Sequence, residues 1–238
     1  MTAVAEEKTA LPEYTRRPQK YSVACGACFW FTSLMQGALL AFVDDIYEDL
    51  ELWYPKLRLE EAGFTVRLAA RELKTYSGKH GYPAAADLLL ADAKSADFVG
   101  LLIPGGFMPD KLRRDPKVLA LTREFFEQGK LVSFICHGGW IPISAQILRG
   151  RRATGSLGIK DDLENAGAQW ADEPVVTDGN LVSSRTPADL PHFAHALVKF
   201  LEAEARTRAA TRPATRPEKP NARSALVLKK GMLGGVLK

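Results

Sequence analysis

A cysteine followed by a histidine and two glycines, placed where a strand gives way to a turn, is an arrangement suited to nucleophilic chemistry. In LVSFICHGGW (131–140) a five-residue strand ends at Cys136, and His137, Gly138 and Gly139 follow at once. Such a junction is the pattern of a nucleophile elbow, which lifts a reactive side chain above a sheet. The small residues allow the backbone to approach closely, and a helix N-terminus beside a thiol favours the thiolate, the form that attacks carbon. PGGFMPD (104–110) supplies Gly105 and Gly106, whose backbone N–H groups could hold an oxyanion. YEDLE (47–51) supplies a carboxyl, Glu48, directed at the same crevice if the run before it is a strand.

The elements that must bring these segments together alternate along the chain. Strands are expected at 37–43, 64–70, 98–106 and 131–136. Helices are expected at 47–63, with an apolar face of Leu50, Trp53 and Leu57, at 115–130 behind the cap Asp115, and at 137–150. Residues 74–90 read as an extended excursion turning at Ser77-Gly78. Beyond them come a short strand near Ala153, a helix at 159–166, a strand pair turning on Asp178-Gly179, and a last helix from Asp189 to about Ala205. Strand–helix–strand order requires crossovers and therefore parallel pairing. The fold class is α/β: a single doubly wound, mostly parallel sheet with helices on both faces, flavodoxin-like, in which ligands sit beyond the carboxyl ends of the strands.

The combination of DIYEDLELWYP, GKHGY, LLIPGG, ICHG, GIKDDLENAGAQW and NLVSSRTPADLP resembles the PfpI intracellular proteases of the ThiJ/PfpI superfamily, over residues of about 38 to 204. The resemblance implies a cysteine-dependent hydrolase: a peptidase, or a deglycase or glyoxalase acting on glyoxal and methylglyoxal adducts. Cys136 then matches the nucleophile, His137 its neighbouring histidine, and Glu48 the acid that hydrogen-bonds the sulfur. Gly105, Gly106 and Gly138, with the His137 N–H, match the oxyanion loop and elbow. Asp110 matches an acid offered to the histidine of a neighbouring subunit, which implies a homo-oligomer. The alternative within the superfamily is a redox sensor or holdase chaperone using an oxidisable Cys136. A glutamine amidotransferase would need a downstream H-x-E histidine, and neither His192 nor His195 has Glu two positions on; His80 is at most a contributor at an interface. No cofactor and no metal is expected, since the chain contains neither a P-loop nor a G-x-G-x-x-G fingerprint, and Cys25 and Cys28 have no partner ligands nearby.

Composition sets the surroundings of this domain. The 238 residues carry a net charge of +4, but from Ala205 onward nine Lys and Arg face a single acid, Glu218, so the tail holds +8 and the remainder about −4. The basic character belongs to the tail and does not argue for a nucleic-acid partner. Three cysteines are not a disulfide framework, which points to a reducing, cytoplasmic setting. The expected organisation is a poorly structured leader (1–36), the α/β domain (37–205) and a disordered basic tail (206–238) with weak affinity for a membrane or partner. The uncharged run from Tyr21 to Val43 is long enough to span a bilayer. Assigning 37–43 to a strand leaves 16 residues, too few for a comfortable span; export or membrane attachment through 15–36 is the alternative, and Met35 is a candidate native start.

Overall fold

In the computed structural model, residues 37–211 are described. The chain runs β1 (Ala38–Phe42), α1 (Asp49–Glu61), β2 (Thr65–Ala70), a hairpin of β3 (Thr75–Ser77) and β4 (Pro83–Ala85), β5 (Leu88–Leu89), β6 (Gly100–Ile103), α2 (Met108–Leu112) and α3 (Pro116–Glu127). There follow β7 (Leu131–Ile135), α4 (Trp140–Ser144), β8 (Arg152–Ala153), α5 (Lys160–Asn165), β9 (Gln169–Trp170), β10 (Val175–Asp178), β11 (Leu181–Ser184) and α6 (Leu190–Thr211). Seven strands form one sheet in the order β10-β11-β7-β6-β1-β2-β5. Every neighbouring pair in it is parallel except β10 with β11. The strands β6, β7 and β11 are buried at every residue, as strands covered on both faces should be, and the serines among them, Ser133, Ser183 and Ser184, are hydrogen-bonded to backbone carbonyls. Helices cover the sheet, and the expected doubly wound architecture is the one observed.

Three elements differ from expectation in ways that shape the site. Helix α1 has the expected extent but the opposite phase: Leu50 and Leu57 are each 57% exposed, while Leu52, Pro55 and Leu59 face the core. Both sets recur at helical spacing, so periodicity alone could not choose between them. The rotation carries Glu51 inward to full burial. The helix expected over 137–150 is instead a 3-10 turn, Cys136–Gly139, continued by the five residues of α4. It ends because Gln146 takes a left-handed conformation (φ 60°), after which Ile147 and Leu148 enter the core. Helix α6 continues past Ala205 to Thr211, through good helix formers that include the i,i+4 pair Glu202–Arg206.

Residues 37–43 of the uncharged run hold β1, at the centre of the sheet between β2 and β6. Among the described residues no helix is long and apolar enough to cross a membrane. The expected leader with Cys25, Cys28 and Met35, the segment 15–36, and the tail beyond residue 211 lie outside the described residues.

Candidate active site

Beyond the carboxyl ends of β1, β6 and β7 lies a cavity of about 880 Å³ whose lining includes Cys136, His137, Glu48, Glu51 and Gly106. Strand β7 delivers Cys136 into a left-handed conformation (φ 59°), rare for a residue with a side chain. Such strain costs on the order of 1–3 kcal/mol and persists where surrounding structure enforces it. The turn that follows packs tightly on β6: a Cβ at Gly138 would lie 2.5 Å from the Ile103 carbonyl oxygen. The turn therefore packs against β6 only as glycine.

Cys136 Sγ lies 3.2 Å from His137 Nδ1, and the His137 backbone N–H is directed at the same sulfur. The imidazole packs edge-on against Trp140, ring centroids 5.0 Å apart. Burial, and then the charge of Lys79, lower His137 below the ordinary histidine value, so the ring is neutral at neutral pH.

The acid against the thiol is Glu51 and not Glu48, which corrects the sequence expectation. Glu48 is the N-cap of α1: its carboxylate accepts from the Glu51 N–H at 2.8 Å, which occupies Oε2 with helix capping. Its other oxygen lies 3.9 Å from His80 Nε2. Glu48 still lines the cavity, but the side-chain interaction with Cys136 belongs to Glu51. Burial, followed by the Glu48 carboxylate, pushes Glu51 up to about 8. Burial, followed by an ionised Glu51, pushes the Cys136 thiol up to about 12. The cause common to both shifts is burial away from water, to which a neighbouring acid adds in each case, Glu48 for Glu51 and Glu51 for Cys136. At neutral pH Glu51 holds its proton.

The glycine loop is also only partly as expected. Gly105 donates its N–H to Glu51 Oε2 at 2.8 Å, so that group is committed to holding the acid and does not face a developing oxyanion. A Cβ on Gly105 would sit 2.6 Å from Glu51 Oε2 and 2.9 Å from Cys136 Cβ, which explains the glycine. Gly106 lines the cavity itself, in a conformation (φ 79°) open to glycine, with its N–H unengaged among the described residues.

Asp110, on α2, is hydrogen-bonded to Arg114 at 2.5 Å and does not line the cavity of its own chain. Sequence reasoning missed Asp49. Its carboxylate accepts from the backbone N–H groups of His80 (2.9 Å) and Tyr82 (2.8 Å), pinning the turn between β3 and β4 that carries Lys79 and His80 to the rim. No local signal distinguishes Asp49 from an ordinary first-turn acid of a helix.

The model of the DJ-1/PfpI family matches residues 38–200, and the chain belongs to that family. Deglycase PH1704 of Pyrococcus horikoshii is 47% identical over 156 residues, covering 66% of this chain and 94% of that protein. Deglycase PfpI of Pyrococcus furiosus is 44% identical with the same coverage. Among solved structures, a two-domain protein of Anabaena variabilis with DJ-1/ThiJ/PfpI-like and ferritin-like domains superposes with a TM-score of 0.69 at 39% identity. The match covers 70% of this chain and 48% of that one, so the chain spans about half the length of that protein. A ThiJ/PfpI domain protein of Brachyspira murdochii gives a TM-score of 0.68 at 25% identity, over 71% of this chain and 98% of that one.

Proposed function

We propose that the protein is a cysteine-dependent hydrolase of the PfpI type that removes glyoxal and methylglyoxal adducts from proteins or peptides. The observation that carries this reading is the convergence on Cys136 of a neutral imidazole at 3.2 Å and a protonated carboxyl, Glu51, at the floor of an open cavity. The names of the relatives as deglycases support the substrate class.

In this scheme burial holds the resting Cys136 as a thiol, and neutral His137, 3.2 Å away, takes its proton as the sulfur attacks, leaving a thiolate beside the Glu51 carboxyl and the His137 backbone N–H. The sulfur adds to the electrophilic carbon of the adduct. The oxygen that gains charge is met by the unengaged Gly106 N–H, and neutral His137 takes up and returns the proton as the amine leaves. The hemithioacetal left behind isomerises through an enediol, His137 carrying the carbon-bound proton from the sulfur-bearing carbon to the neighbouring carbonyl carbon, and water hydrolyses the resulting thioester to the hydroxy acid and the free thiol. A reduced thiol is required throughout, which suits a cytoplasmic enzyme.

The test is a side-by-side assay of wild type and Cys136→Ser on a methylglyoxal-modified peptide, free methylglyoxal and an unmodified fluorogenic peptide. Loss of adduct removal by about 10³-fold or more in the variant is expected. Full retention would overturn the nucleophile, and turnover of the unmodified peptide alone would replace deglycation with peptide hydrolysis.

A further inference from the structure

A second cleft, of about 550 Å³, opens beside α4 and α5 and is lined by Arg113, Gln146, Arg149, Asp162 and Asn165. We propose that it binds a small phosphate monoester, and that its occupancy is transmitted to His137 through Trp140.

Charge is the first argument. Among the described residues neither arginine of the cleft has a carboxylate within ion-pairing distance, a state they share with Arg67 and Arg123, whereas Arg71, Arg114, Arg151, Arg152 and Arg185 are all paired. Arg113 gives its Nε–H to the neutral Ser144 hydroxyl at 2.9 Å and lies over the Trp140 ring, 5.7 Å from its centroid. Two guanidinium forks match the charge and terminal oxygens of a phosphate dianion, and the side-chain amides of Gln146 and Asn165 add neutral donors. The one acid of the lining, Asp162, is a poor neighbour for phosphate but a good acceptor for a hydroxyl, which favours an ester carrying hydroxyl groups over the bare ion.

Strain is the second. Gln146, whose left-handed conformation ends α4, is one of three non-glycine residues with positive φ among those described; the other two, Cys136 and Ile46, line the catalytic cavity. Connection is the third. Trp140 donates its Nε1–H to Asp162 Oδ2 at 2.8 Å, carries Arg113 against its ring, and packs against His137 with the two rings steeply inclined. A ligand that draws Arg113 or Asp162 toward itself removes a contact from the ring that orients His137.

The experiment is calorimetric titration of the full chain with glycerol 3-phosphate, with inorganic phosphate and with chloride at matched ionic strength, in wild type and Arg149→Met. The rate of Cys136 alkylation is followed with and without saturating ligand. Saturable binding of one glycerol 3-phosphate per chain, weakened at least tenfold in Arg149→Met, is expected. Unchanged affinity in that variant overturns the site, and inorganic phosphate binding as tightly as the ester overturns the ester assignment. Alkylation should change at least twofold on saturation of wild type and stay constant in the variant; binding without any change in wild-type alkylation overturns the link through Trp140. Neither readout depends on the substrate of the catalytic cavity.

Discussion

The buried Glu51 carboxyl accepts from the Gly105 amide through Oε2 and acts electrostatically on the Cys136 thiol, while its Oε1 has no hydrogen-bond partner among the described residues. Glu51→Leu removes the donor that favours thiolate and should slow Cys136 alkylation at pH 7 by at least about tenfold. Glu51→Gln keeps a donor to sulfur and an acceptor for Gly105 but does not titrate, so its alkylation profile should lose the inflection near 8 set by Glu51. Glu48→Gln should retain that inflection. An unchanged profile in Glu51→Gln would remove Glu51 from the nucleophile's titration.

The same acid sets a pH dependence of stability. Its native pKa, about 8, lies above the ordinary 4.5, so the native state holds a proton the unfolded chain has released. Its contribution is fully present below pH 4.5, falls as pH rises toward 8, and is lost above that, a change on the order of 5 kcal/mol. Urea midpoints measured at pH 5 and pH 9 should therefore differ more in wild type than in Glu51→Gln. Equal differences would place the Glu51 proton elsewhere.

The order of strands and helices was legible in the sequence because each central strand is an apolar run bounded by turn residues. The elbow was legible for a related reason: a cysteine, a histidine and two glycines at a strand end have few other uses. The acid was not. Glu48 and Glu51 stand three residues apart, Leu50 and Leu57 compete with Leu52 and Leu59 for the core, and which stripe is buried depends on contacts with distant β-strands. That rotation, invisible locally, decides which glutamate meets the sulfur. The Gly105 amide was misassigned for the same reason, since its partner is the glutamate that was overlooked.

Asp49 holds the turn of residues 78–82 by two backbone amides, and a Cβ on Gly78 would lie 2.3 Å from its Oδ1. Asp49→Ala leaves both amides to water, costing about 1–3 kcal/mol. Because the turn carries Lys79 and His80 to the cavity rim, the variant should raise KM more than it lowers kcat. Tryptic cleavage after Lys79 should accelerate by at least about tenfold, following the opening free energy. Protection equal to wild type would show that the hairpin is held by other contacts.

Lys79 acts on the His137 imidazole, the base of the proposed reaction. Its charge contributes to the lowering of His137, so Lys79→Met should raise that pKa and move the acidic limb of kcat/KM to higher pH, while Lys79→Arg should leave the limb in place. The limb lies on the acid side because the imidazole must be neutral to accept a proton. Superimposable profiles for wild type and Lys79→Met would remove Lys79 from the electrostatics of the base.

Asp110 remains outside its own cavity, paired with Arg114, which fits an acid presented to a second copy of the chain. If Asp110 orients His137 of a neighbouring subunit, Asp110→Ala should lose activity without losing stability. In that arrangement Cys136→Ser and Asp110→Ala would each be defective alone, in different halves of a shared site. Mixing the two after reversible dissociation should restore part of the wild-type rate, because some sites then combine an intact Cys136 with an intact Asp110. No recovery in mixed oligomers confirmed by native mass spectrometry would confine Asp110 to its surface pair with Arg114.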